Sequence, residues 1–241
     1  MSNLRSSRSQ IFLRSLLGTI VALLAGFHLG TAAPRYQYLH LDHFDGPQAP
    51  RQYSPYHGET VRSWQGYGIY YEKAQAELQF VPIKRGKQAL RITYDLPPHL
   101  DWGNWLSVRR ELGRLTDLHQ YEGLVLDVRT EAATNTQFRI TLTDVANPQD
   151  ASKHGADEMW WYDAPAGFLT PNGHYVRLYA PFRDFRLGEG AGVRIRDQKL
   201  DLSKIVAFEI NLVSSGMTPG KGVVIVDCLR AYKRRPARVS R

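Results

Sequence analysis

The sequence predicts an all-β fold, a two-sheet antiparallel β-sandwich of the jelly-roll kind. Three observations predict it. Beyond the N-terminal segment helical periodicity is scarce, and short runs rich in Val, Ile, Tyr, Phe, Trp and Thr recur between Gly, Pro, Asn and Asp. Short strands with turn residues between them are the pattern of sandwiches and jelly rolls. Within those runs apolar and polar residues alternate, as a strand with one face on a core requires. Finally, Cys228 is the single cysteine, so no internal disulfide braces the chain. Packing must hold the fold, alone or with a metal.

The chain opens on a basic stretch with Arg5, Arg8 and Arg14, followed by an apolar run from Leu16 to Leu29 and small residues ending at Ala33. That order is the pattern of a cleaved secretory signal over residues 1–33, which predicts a secreted or periplasmic protein. The run falls short of a comfortable membrane span of about 20 residues, so no stable span is expected after cleavage. A retained anchor is the competing reading. Residues 34–232, about 200 in all, suit one domain with a sizeable core. Residues 233–241 read as a basic disordered tail.

Strands are expected near 36–43, 67–71, 76–81, 89–95, 105–111, 123–130, 137–144, 158–162, 174–180, 206–213 and 222–232. "LVLDVRT" turns Leu124, Leu126 and Val128 inward and leaves Asp127 and Arg129 outside. "FRITLTD" sets Phe138, Ile140 and Leu142 against Arg139, Thr141 and Thr143. "HYVRLYA" sets Val176 and Leu178 against Tyr175, Arg177 and Tyr179, and "FEINLV" sets Phe208, Ile210 and Leu212 against Glu209 and Asn211. "DEMWWY" places Trp160 on one face with Glu158 and Tyr162, and Trp161 on the other with Met159. The polar segments "DVANPQDASKHGAD" and "RLGEGAGVRIRDQK" are long loops of a length that tends to carry function.

If these strands share one sheet, its second face gathers Arg139, Arg177, Glu209 and Asn211 as hydrogen-bonding groups and Trp161 and Tyr179 as rings. Asp157 and Glu158 adjoin them. Planar donors and acceptors meet hydroxyl groups, while rings stack on C–H faces, so the set suits a saccharide. An ordinary solvated sheet face is the plain alternative. The formal charge of +8 does not point to nucleic acid. The signal arginines and the tail (Lys233, Arg234, Arg235, Arg238, Arg241) account for it, leaving the body formally neutral, whereas a nucleic-acid binder spreads basic charge over its folded surface.

The order of "LDHFDG", "DEMWWY", "VRLYAPFRDF", "LDLSKIVAFEI" and "GVVIVDCLRAY" along the chain resembles the family 11 carbohydrate-binding modules and the related CIA30-like domains of the galactose-binding-like superfamily. The resemblance runs from Leu39 to Tyr232. Glu158, Trp160 and Tyr162 match the family's Glu-x-Trp-x-Tyr strand. The resemblance implies a jelly roll that binds a poly- or oligosaccharide or, on the CIA30-like side, a protein partner. It also implies a structural Ca2+ at Asp42, Asp45 and Asp227, where the superfamily's first and last strands often hold one through hard oxygen ligands. Turn chemistry and solvation are the alternative for these acids. The glucan-binding groove does not carry over, because Asn104, Val206 and Leu212 stand at its tyrosine and aspartate positions, and Ala156 replaces a further aspartate.

Enzyme signatures are thin. There is no Gly-x-Ser-x-Gly elbow, zinc helix or Walker lysine, and "GEGAGV" (188–193) lacks a strand–helix frame. His40 and His43, three apart on a strand, face opposite sides. Asp144, Asp157 and Glu158 are candidate carboxylates for glycoside hydrolysis, and His174, Tyr175 and Arg177 offer lyase residue types without a lyase motif. The expectation is therefore a non-catalytic carbohydrate binder, with an assembly domain or a polysaccharide hydrolase or lyase as alternatives.

Overall fold

The fold, obtained as a computed structural model, is described for residues 36–48, 62–71, 73–98, 104–145, 157–188 and 198–235. The expected signal (1–33), the end of the basic tail and most of both long loops lie outside the described residues. Thirteen strands follow one another: β1 (Tyr36–Asp42), β2 (Arg62–Trp64), β3 (Tyr67–Tyr71), β4 (Gln75–Pro82), β5 (Gln88–Leu96), β6 (Trp105–Thr116) and β7 (Gly123–Thr134). Then come β8 (Thr136–Val145), β9 (Asp157–Asp163), β10 (Val176–Pro181), β11 (Arg186–Leu187), β12 (Ile205–Ser214) and β13 (Gly220–Arg234). Single 3-10 turns occupy Lys84–Gly86 and Phe182–Asp184. Among the described residues no helix is long and apolar enough to cross a membrane.

Two antiparallel sheets result. The first runs β10-β7-β13-β5-β4, with β1 also paired to β13; the second runs β11-β9-β8-β12-β6-β3-β2. Eleven of these strands fall where the alternation places them. β2 and β11, three and two residues long, carry too little side-chain pattern to be read and form only because a neighbouring strand offers an edge. β13 serves both ends of its sheet. Residues 220–226 pair with β5 and residues 229–234 with β1, and β7 accompanies it throughout. Between the two halves the register shifts and Cys228 takes a left-handed φ of 53°, the signature of a bulge that bends the strand.

The inward faces meet in one core. Phe138, Ile140, Leu142, Phe208 and Ile210 of the second sheet pack against Leu90, Ile92, Leu124, Leu126 and Val226 of the first. Trp160 joins them at 7 % exposure, as a core residue. Its neighbour Tyr162 donates its hydroxyl to the Tyr179 carbonyl across the sandwich (3.1 Å) and packs against Phe185 (centroids 5.6 Å). The segment 181–185 thereby becomes a plug, with Phe182 buried at the start of the 3-10 turn and Phe185 just after it. At the opposite end, Arg110 breaks the inward pattern of β6. It donates to the Gly66 carbonyl (2.7 Å) and to Gln48 (3.1 Å) and lies over the Tyr67 ring.

Large-to-small replacement of a buried Trp typically costs about 3–5 kcal/mol. Trp160→Ala is expected to lower unfolding stability by that amount in urea denaturation, with Trp161→Ala costing clearly less.

Candidate functional site

The outward face of the second sheet holds a ladder of polar side chains, and its centre is sealed. Arg109 on β6, Glu209 on β12 and Thr143 on β8 have no exposure. Arg109 donates to Glu209 (2.5 Å), to Thr143 (2.9 Å) and to Glu111 (2.7 Å), and Ser107 donates to the second oxygen of Glu209 (2.8 Å). Burial pushes the Arg109 pKa down, but the carboxylates of Glu111 and Glu209 outweigh it and hold the guanidinium charged. One row further on, Asn211 donates to Thr141 (2.8 Å) and is itself buried. Glu209 and Asn211, expected to meet a ligand, are instead parts of the scaffold.

The ladder opens at one end. Arg139 on β8 stands opposite Asp163 on β9 and donates to it (Nε to Oδ1, 2.6 Å), while the exposed Arg186 pairs with the other carboxylate oxygen. The Arg139 guanidinium lies 4.2 Å from the centre of the Trp161 ring. On Trp161 the backbone of Gly188 approaches so closely that a Cβ there would sit 2.5 Å from the indole. Trp161 thus backs Arg139 instead of offering an open ring. Beside this pair lies a cleft of about 520 Å³ lined by Gln137, Arg139, Val213, Pro165, Gly167 and Phe168, among others. Asn135, Thr136, Ser214 and Ser215 line it as well, so its walls are about as polar as apolar, and its volume lies within the range of small-ligand sites.

Arg177 and Tyr179 are not here. They stand on β10 at the edge of the first sheet, where Arg177 donates to Asp127 (2.8 Å). This corrects the expectation of a single face. Alternation reports which residues of one strand share a side, and it is silent on which sheet the strand joins. Glu158 is buried on the inward-pointing side of β9, opposite Asp144, and accepts the Gln198 amide (3.3 Å); Asp157 pairs with Val145 at the start of that strand. Glu158 does not line the cleft. Sequence reasoning missed Asp163, Arg186 and Arg109. The alternation of "LSVRREL" was the available signal for Arg109, whereas Asp163 needs the β8–β9 register.

The expected calcium acids do not converge. Asp42 is buried and accepts the Phe44 amide (2.7 Å) and the Tyr67 hydroxyl (3.0 Å), with Arg110 at 3.7 Å. Asp45 is exposed and lies within electrostatic reach of Asp227, whose neighbour across the strands is Asp127. Among the described residues no group of three or more His, Cys, Asp or Glu side chains could hold a metal ion. As placed, these three carboxylates do not fit one. A place near the ends of two strands does not fix where a side chain points, and the Arg110–Tyr67 pair has claimed Asp42.

No family model and no curated protein matches the chain. Solved structures do. A family 11 carbohydrate-binding module from Clostridium thermocellum, in complex with a beta-1,3-1,4-mixed-linked tetrasaccharide, aligns at TM-score 0.52 and 18% identity over 72% of this chain and 92% of that one. The solution structure of CtCBM11 aligns at TM-score 0.53 and 17% identity over 83% and 96%. A family 30 carbohydrate-binding module aligns at TM-score 0.52 and 12% identity over 83% and 99%. The likeness is one of fold: the two sheets form the β-sandwich jelly roll of these modules, as the resemblance to family 11 implied.

Two outcomes follow from the electrostatics. Removing one partner of a buried ion pair costs about 3–5 kcal/mol, so Arg109→Ala is expected to lose that much in urea unfolding, while Arg109→Met/Glu209→Leu recovers most of it. Burial, opposed by a Cys228 hydrogen bond and reinforced by Asp127 and Asp45, raises the Asp227 pKa above the ordinary carboxylate value. An acid raised in the folded state costs stability once ionised, and that cost vanishes as pH falls below its unfolded pKa. Asp227→Asn should therefore raise Tm at pH 8, with the gain shrinking as the pH drops through the carboxylate range.

Proposed function

We propose that the protein binds a poly- or oligosaccharide non-catalytically, in the cleft at the open end of the second sheet's outward face. The observation that carries this reading is the Arg139 guanidinium, held over the Trp161 ring and bonded to Asp163, at the wall of a cleft with both polar and apolar sides. A planar group held by two neighbours presents its remaining N–H donors at little entropic cost, which suits vicinal hydroxyls. Phe168 and Val213 supply the apolar surface for a C–H face. Glycoside hydrolysis uses two carboxylates across the bond. Asp163 is committed to two arginines and Glu209 is sealed within the outward ladder by Arg109 and Ser107, which supports binding over cleavage. The solved structures that share the fold are carbohydrate-binding modules, one of them in complex with a mixed-linked tetrasaccharide. The N-terminal signal pattern supports action outside the cytoplasm.

The test is titration of the purified chain against a panel of neutral polysaccharides. Arg139→Ala is expected to weaken binding at least about tenfold, and Trp161→Ala, which frees the guanidinium without removing it, by less. Unchanged affinity in Arg139→Ala, or no neutral glycan bound at all, overturns the cleft assignment. Release of shortened sugars would overturn the non-catalytic part.

A further inference from the structure

The outward face of the first sheet carries an arrangement that the cleft does not use. Val125 on β7 points away from the core, yet it has no exposure. A circuit of side chains from four strands surrounds it, with Tyr179 and Arg230 directly across from it on the neighbouring strands. The Tyr38 and Tyr179 phenols and the Arg177 guanidinium lie within electrostatic reach of one another, and Arg177 donates to Asp127 (2.8 Å). Asp127 also accepts Arg230 (2.5 Å), whose guanidinium lies 5.0 Å from the centre of the Tyr38 ring. Tyr36 extends the circuit, with its centroid 5.8 Å from Tyr179 and 6.2 Å from Tyr38. The buried Tyr232 props the group from below, edge-on to both Tyr36 and Tyr179. Tyr36, Tyr38 and Tyr179 stay partly exposed, and Arg177 is 47% exposed.

We propose that this patch is a second binding surface, for an anionic pyranose such as the uronate or sulfated sugar of an acidic polysaccharide. It is independent of the cleft and lies on the other sheet. Three partly exposed rings, each tied to a neighbour, offer a ready-ordered surface for the C–H face of a sugar ring. The charge around them selects an anion. Arg177 and Arg230 share the one carboxylate of Asp127, while at the rim the exposed Arg183 and Arg234 stand 3.6 Å from Asp184 and 3.6 Å from Glu122. A guanidinium such as Arg177 meets a carboxylate or sulfate with parallel donors. A neutral glucan would not draw on the one positive charge left over where Arg177 and Arg230 share Asp127.

The experiment titrates the full chain with polygalacturonate, a sulfated galactan, a neutral β-glucan and inorganic polyphosphate at fixed salt. Binding to either acidic polysaccharide is expected, and which one binds identifies the anionic group. Tyr38→Ala/Tyr179→Ala and, separately, Arg177→Gln at its exposed site should each weaken it about tenfold or more. Polyphosphate binding of equal strength would show plain charge attraction and overturn the proposal. So would acidic-polymer binding untouched by Arg177→Gln, or no acidic polymer bound. The cleft variant Arg139→Ala separates the two sites: if it abolishes acidic-polymer binding, the ligand sits in the cleft and the second surface falls, whereas loss of neutral-glycan binding alone concerns only the cleft.

Discussion

Arg109 is a guanidinium with no exposure at all, and the second sheet is arranged around it. Removing such an ion from water is expensive unless every donor finds an acceptor and a counter-charge stands beside it. Glu209 on one neighbouring strand and Glu111 on its own strand supply the counter-charge. With Thr143 one strand further they take Nε and one terminal nitrogen, while the other terminal nitrogen has no acceptor among the described residues. The bonds hold only in one register, because a slip of one residue in β12 or β8 would turn Glu209 or Thr143 into the core. The ion pair thus specifies the alignment of β6, β12 and β8, and everything mounted on that face inherits the alignment. It also decides where a ligand can reach. The central acceptors are used up internally, so chemistry toward solvent is left to the end of the ladder, where Arg139 and Asp163 remain partly exposed.

The first sheet solves a different problem with β13. One strand of 15 residues must pair with β5 at one end and β1 at the other. The bulge at Cys228 provides the bend and offsets the two halves, and it leaves Asp127 and Asp227 directly opposite each other on one face. Like charges so placed repel. Asp127 is neutralised by Arg177 and Arg230, whereas burial and the two nearby acids raise Asp227. Burial likewise pushes the Cys228 thiol up to about 12, so the lone cysteine is an un-ionised structural residue at the bend.

How much of this was legible in the sequence depends on the range of the interaction. Alternation is local, and it separated Trp160 from Trp161 and placed Phe138, Ile140, Leu142, Phe208, Ile210 and Leu212 inward without any knowledge of topology. Strand order is not local. Arg139 and Arg177 carry the same signature in sequence and stand on different sheets, because nothing within "FRITLTD" or "HYVRLYA" records a partner strand. Side-chain commitment is less legible still. Asp42 reads as a free acid in a turn and proves to be bound by Phe44, Tyr67 and Arg110, two of which lie far along the chain. Trp161 reads as an exposed ring and proves to be covered by a guanidinium and a glycine backbone.

The outward tyrosine circuit depends on one small residue. Gly123 starts β7 between Pro181 of β10 and Tyr232 of β13. A Cβ at that position would lie 2.9 Å from the Tyr232 ring and would also collide with the backbone at Ala180. Glycine therefore lets the Tyr232 ring lie down across the strand, and this lowered ring presents its edge to Tyr36 and Tyr179. Without it Tyr36 and Tyr179 would lose the edge contact of Tyr232. Tyr179 also stands directly across from Val125, so burial of the outward valine and order among these rings are linked through that one side chain.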